Sequence, residues 1–164
     1  MLRTFLLALL LSLAFSVSAQ SIAVLDANNG FRTYKLGMHR RSISNLKFIW
    51  ADETTKSYTN PTDKLSIGAY ELEAIEYRFY KDLLIQIVIK IDGLSNGQGI
   101  LKALKKAYGF GQEFNLSEGS KMIMWESSKI ELQYTSFIGL NEARISFYDK
   151  KLDGQKTQRN TIKR

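Results

Sequence analysis

Two adjoining stretches alternate apolar and polar residues with the period of a strand. In IEYRF, Ile75, Tyr77 and Phe79 fall on one side, and in LLIQIVIKI, Leu83, Ile85, Ile87, Ile89 and Ile91 do the same, the period of two shown by half-buried strands. Lys81 and Asp82 stand between them as the two-residue turn of an antiparallel hairpin. The phase slips between Leu72 and Ile75, which predicts a bulge near Ala74. The alternation returns at KMIMW (Lys121–Trp125), KIELQYTSF (Lys129–Phe137) and ARISFYD (Ala143–Asp149), with Ser127, Ser128, Gly139 and Asn141 at the turns. These three predict an antiparallel meander.

Between hairpin and meander the period changes. Ile100, Leu101, Leu104, Ala107 and Tyr108 share one arc, with Lys102, Lys105 and Lys106 opposite, so an amphipathic helix is expected to cover the sheet. A fainter stripe of Met38, Ile43 and Leu46 predicts a second helix over about Met38 to Phe48, with Arg40 and Arg41 outward. FRTYK (Phe31–Lys35) reads as an extra strand, and the polar stretch Asp52 to Asp63 as a loop with a short strand near Lys56 to Tyr58. The expected fold is α+β: a two-layer sandwich of two helices packed on an antiparallel β-sheet. Its halves, about 30–92 and 93–149, also read as a tandem repeat of helix then strands.

The start of the chain belongs to a different class of signal. MLR followed by FLLALLLSLAF, with Val17 and Ala19 at the small-residue positions, has the form of a secretory signal cleaved after Ala19. The apolar run is shorter than the roughly 20 residues of a bilayer span. Residues 1–19 are thus expected to be removed, leaving one domain over 20–149 and a tail over 150–164. With no cysteine, disulfides and thiolate metal sites are excluded, which fits a bacterial periplasmic or secreted protein better than a small eukaryotic extracellular domain.

The net charge of +7 changes meaning once it is located. Lys150, Lys151, Lys156, Arg159, Lys163 and Arg164 face only Asp153 in the tail, whereas basic and acidic residues alternate through the body. No nucleic-acid partner is expected. The tail, with few apolar residues, is expected to lack ordered structure and to make at most weak contact with anionic surfaces.

Candidate chemistry is sparse. His39 is the sole histidine, which leaves no multi-histidine metal site, and its place at a helix start reads as a helix-end residue. The glycine loop GLSNGQG stands between strand and helix, where phosphate sites are built. It lacks both Gly-Lys-Ser/Thr and Gly-x-Gly-x-x-Gly, while Ser95 and Gln98 have capping-box spacing and Asn96 is a second N-cap candidate. Gly109 reads as the helix C-cap. Glu71 and Glu73, two apart on one strand face, stand about 7 Å from each other, between the retaining and inverting separations of glycosidases and also within reach of a calcium ion, although a solvent face of a strand is ordinarily filled this way; with Glu76 they are the carboxylates of the hydrolase alternative. Tyr80, Tyr134 and Tyr148 alternate on strands and could form an aromatic platform for a sugar or peptide. No catalytic residue, metal ligand or cofactor site is assigned.

KLGMHRRSISNL, Lys35 to Leu46, is similar to the Gly-Met helix start of small outer-membrane assembly lipoproteins of the SmpA/OmlA type, whose helix-over-sheet modules resemble the repeat unit of β-lactamase inhibitor proteins. The chain lacks their lipidated cysteine and their Gly-x-Pro after the helix. More broadly it resembles small exported proteins of Bacteroidetes-type bacteria. The resemblance implies a non-enzymatic envelope module that binds other proteins. The expected function is therefore an exported, non-enzymatic binding module for a protein, peptide or envelope component, with an exported glycan hydrolase using the strand carboxylates as the alternative.

Overall fold

The computed structural model describes residues 23–162; the expected signal segment and its cleavage point lie outside them. Eight strands form one antiparallel sheet. In chain order they are β1 (Lys47–Ala51), β2 (Thr55–Thr59), β3 (Ala74–Tyr80), β4 (Leu83–Asp92), β5 (Gln112–Asn115), β6 (Lys121–Glu126), β7 (Ile130–Phe137) and β8 (Glu142–Asp149). The spatial order is β1-β2-β3-β4-β8-β7-β6-β5. Two four-stranded meanders therefore meet where β4 pairs with β8, in a register that sets Ile89 opposite Ile145 and Ile87 opposite Phe147.

The long hairpin forms as its alternation predicts. Lys81 and Asp82 both have positive φ, 48° and 61°, as the favoured two-residue hairpin turn requires. The bulge, however, is not at Ala74. The register shifts between Arg78 and Phe79, so that Phe79 pairs with Leu84 while Arg78 pairs with Gln86. Ile85 is the extra residue. It consequently leaves the face of Ile87, Ile89 and Ile91 and packs with Tyr80 and Leu152 on the other side of the sheet. A one-residue slip reverses side-chain facing, because the period of a strand is two.

One face of the sheet carries the core. Ile75, Tyr77, Ile87, Ile89, Ile91, Ile145 and Leu132 are essentially without solvent exposure, covered by α1 (Leu94–Tyr108) and by residues 25–46, including Leu25, Leu36 and Ile43. Gly93, with φ of 79°, is the N-cap of α1 and has no side chain of its own to cap it. Ser95 and Asn96 thus lie inside the helix; Asn96 Nδ2 donates to the Asp92 carbonyl (3.2 Å), and Asn141 Oδ1 receives the Leu94 N–H (3.3 Å) from the β7–β8 loop. The glycines of the loop serve contact. A Cβ at Gly97 would lie 2.7 Å from the Ala143 Cβ, and one at Gly99 would lie 2.2 Å from the Tyr70 ring. Gly109, with φ of 81°, closes the helix as expected.

The expected two-helix sandwich is incorrect: the protein is mostly β, and the first helix is absent. Over Met38 to Phe48 the chain makes a single 3₁₀ turn, Arg40–Ser42, and then enters β1. His39 Nδ1 caps that turn by accepting the Arg41 N–H (3.2 Å). Asn45 adopts φ of 61°, a conformation that a right-handed helix excludes, and Ser42, Ile43 and Ser44 are weak helix formers. Met38, Ile43 and Leu46 still reach the core, so the apolar stripe marked burial rather than a helix. The stretch Lys35 to Leu46, which carries the family resemblance, is not helical here. Without that helix the two halves are not copies of a helix-then-strands unit. Gly30–Phe31 and Tyr34–Lys35 form a small hairpin, and Ser66–Ile67 pairs with Tyr70–Glu71 in a second ribbon.

The tail also differs from the expectation of no ordered structure. Lys150–Ile162 form a helix, α2. Asp149 Oδ1 accepts the Leu152 N–H (2.9 Å), an N-terminal cap, and Leu152 packs on Tyr80 and Ile85 at one end of the second sheet face.

Candidate functional site

That second face has no covering layer other than α2 among the described residues. Strand parity brings polar side chains to it in rows. Arg144 stands beside Lys90 and Thr135, Ser146 beside Val88 and Gln133, and Tyr148 beside Gln86 and Glu131. β3 adds Glu76 opposite Val88 and Arg78 opposite Gln86. A shallow groove of about 240 Å³ runs between Arg78, Gln86, Gln133, Thr135, Arg144 and Tyr148.

Each arginine is braced on an aromatic ring and a carboxylate. The Arg78 guanidinium lies 5.3 Å from the centre of the Trp50 ring and bonds Glu76 (3.0 and 3.1 Å). The Arg144 guanidinium lies 5.0 Å from the Phe137 ring and 3.3 Å from Glu142. Arg144 Nε is buried without a hydrogen-bond partner among the described residues. Such stacked guanidinium groups are stiff, and stiffness lowers the entropic cost of holding a ligand.

The strand carboxylates do not assemble. Glu71 ends the small ribbon and Glu73 lies in the bend before β3, both exposed. They do not lie on one strand, as the expected carboxylate pair requires. Glu76 is buried and fully engaged, accepting from Trp50 Nε1 (2.9 Å), the Ser57 hydroxyl and Arg78. Burial alone would raise its pKa, but the donors from Arg78, Ser57 and Trp50 outweigh it and hold the carboxyl below its ordinary value. A glycosidase acid needs the opposite shift. Among the described residues no group of three or more His, Asp or Glu side chains is placed to hold a metal.

The three tyrosines do not form one platform. Tyr80 is buried under Leu152, and Tyr134 is buried on the core face with its hydroxyl beneath Gly97. Only Tyr148 lines the open groove, half-buried, with burial raising its pKa. Sequence reasoning missed Trp50, Arg78 and Arg144. The available signal was parity, since Arg78 lies two residues from Glu76, and Arg144 two from Glu142 and from Ser146.

A second concavity lies on the core side, where α1 faces the Gly30–Lys35 hairpin. It encloses about 380 Å³ over Ile89, Ile145 and Phe147, with Ala103 and Ala107 on its helical wall and Arg32 and Lys35 at its mouth. The chain matches no protein-family model, and comparison with curated proteins and with solved structures finds no relative.

Proposed function

We propose that this chain is an exported, non-enzymatic binding module of the bacterial envelope or secreted fraction that engages a protein or peptide partner across the open face of its sheet. One observation carries the reading: the uncovered face presents Arg78 on Trp50, Arg144 on Phe137, and Tyr148 around one groove. Arginine, tryptophan and tyrosine are the side chains that dominate protein interfaces. The exposure of Glu71 and Glu73 off a common strand and the full engagement of Glu76 favour the binding reading over the hydrolase alternative. The signal-like start, MLRTFLLALLLSLAF, supports export with cleavage after Ala19.

Two measurements test this. N-terminal sequencing of the protein recovered from cells is expected to begin at Gln20. Gentle crosslinking in envelope extract is expected to yield a discrete complex, lost when Arg144→Glu and Tyr148→Ala are combined. A protein that stays alone under crosslinking contradicts the proposal.

A further inference from the structure

We infer that the cleft between α1 and the Gly30–Lys35 hairpin binds a single-chain amphiphile with a carboxylate head, of the fatty-acid class. This site is separate from the open face and does not rest on the reading above.

The helical wall of the cleft combines Ile100, Leu104 and Tyr108 with two small residues. Ala103 and Ala107 are four apart, hence on one side of α1, and they leave a gap between helix and hairpin that larger side chains would close. The floor is Ile89, Ile145 and Phe147, each buried and none carrying a side-chain polar atom. The strand backbone beneath is committed to the β4–β8 ladder. An occupant of this space finds no hydrogen-bond partner at the floor, so its body must be apolar. At about 380 Å³ the cleft is at the small end of ligand sites, which run from roughly 300 to 1,000 Å³, a size suited to one chain rather than two. One end is closed by Asn28, whose Nδ2 donates to the Tyr108 hydroxyl (3.2 Å).

The head group follows from charge. Arg40, Arg78 and Arg144 are all paired with carboxylates. Arg32 and Lys35 differ, because their partners are neutral carbonyls. Arg32 is fixed by Lys64 O (2.6 Å) and Ser66 O over the Phe31 ring (4.6 Å), and Lys35 Nζ donates to Asn28 O (2.6 Å). Both keep unused donors, and no carboxylate lines the cleft. Two cations lining an apolar cleft and bonded only to neutral carbonyls complement an anionic head on an aliphatic chain.

Calorimetric titration of the full chain, as its host processes it, with decanoate below its micelle concentration tests this. Decanoate is expected to bind saturably at one site, at least tenfold tighter than decyltrimethylammonium. Ala103→Leu with Ala107→Leu, exposed helix positions where leucine is well tolerated, is expected to reduce that affinity at least tenfold with unchanged circular dichroism. Should the double variant unfold, Lys35→Gln provides an independent arm, weakening decanoate while leaving decanol unaffected. Absence of saturable decanoate binding, equal binding of the cationic amphiphile, or full affinity in the folded, cleft-filled variant would each overturn the inference.

Discussion

The Tyr134 hydroxyl lies directly beneath Gly97, so close that a Cβ there would stand 2.8 Å from it and 2.7 Å from the Ala143 Cβ. The contact sets how near α1 approaches the sheet, and with it the width of the gap on the hairpin side of the helix.

Gly97→Ala is therefore expected to destabilise the protein by about 1–3 kcal/mol through overpacking, although alanine is the better helix former by about 1 kcal/mol. Urea unfolding measures the change. Adding Tyr134→Phe, which removes the crowding oxygen, should restore part of the loss. A stabilising Gly97→Ala would mean that the helix sits farther from the sheet.

Glu76→Ala is expected to cost about 1–3 kcal/mol, the usual consequence of leaving buried donors unsatisfied, here Trp50 Nε1 and the Ser57 hydroxyl, while part-exposed Arg78 loses its carboxylate but keeps Gln86. Glu76→Gln should cost less, because its amide oxygen still accepts. The depressed pKa adds a pH signature. A carboxylate with lowered folded-state pKa contributes stability above its ordinary value, 4.5 for this group, and that contribution is lost as pH falls toward and through the folded value. The stability gap between the parent and Glu76→Gln should narrow as pH is lowered below 4.5, which thermal melts across an acid series would record.

Leu152→Ala is expected to loosen α2, since Leu152 is the residue that seats this helix on Tyr80 and Ile85. A buried leucine truncation costs roughly 2–5 kcal/mol, but α2 holds no other apolar side chain before Ile162, so the loss should be largely local. Circular dichroism at the helical minimum should weaken while the sheet persists, and limited proteolysis should begin within 150–162. Asp149→Ala, removing the cap on the Leu152 N–H, should act in the same direction by about 1 kcal/mol.

The strands were legible because their alternation is strong and their turns are short. Ile75, Tyr77 and Phe79, Ile87, Ile89 and Ile91 of β4, and the meander strands between Lys121 and Asp149 lie as their period predicts, whereas Leu83 and Ile85 fall on the opposite face and Leu84 turns to the core. Ile85 was misplaced because a bulge shifts facing without altering composition. The Met38 stripe was misread because a chain running irregularly over a sheet can bury Met38, Ile43 and Leu46 without making a helix. The tail became helical through one cap and one leucine, a signal too small for composition to register. The candidate groove was nearly invisible: it joins β3, β4, β7 and β8, and no local pattern states that β4 and β8 are neighbours. Tyr148 stands out in the sequence as an aromatic candidate, whereas nothing local marks Arg78 or Arg144.

The most direct test places a photo-crosslinking residue at Gln133, on the open face between Arg144 and Tyr148, and another at Lys102, exposed on α1. Irradiation in envelope extract is predicted to give a discrete protein adduct from position 133 and none from position 102. Equal labelling at both positions, or no adduct at position 133, would contradict a partner docked on the open face of the sheet.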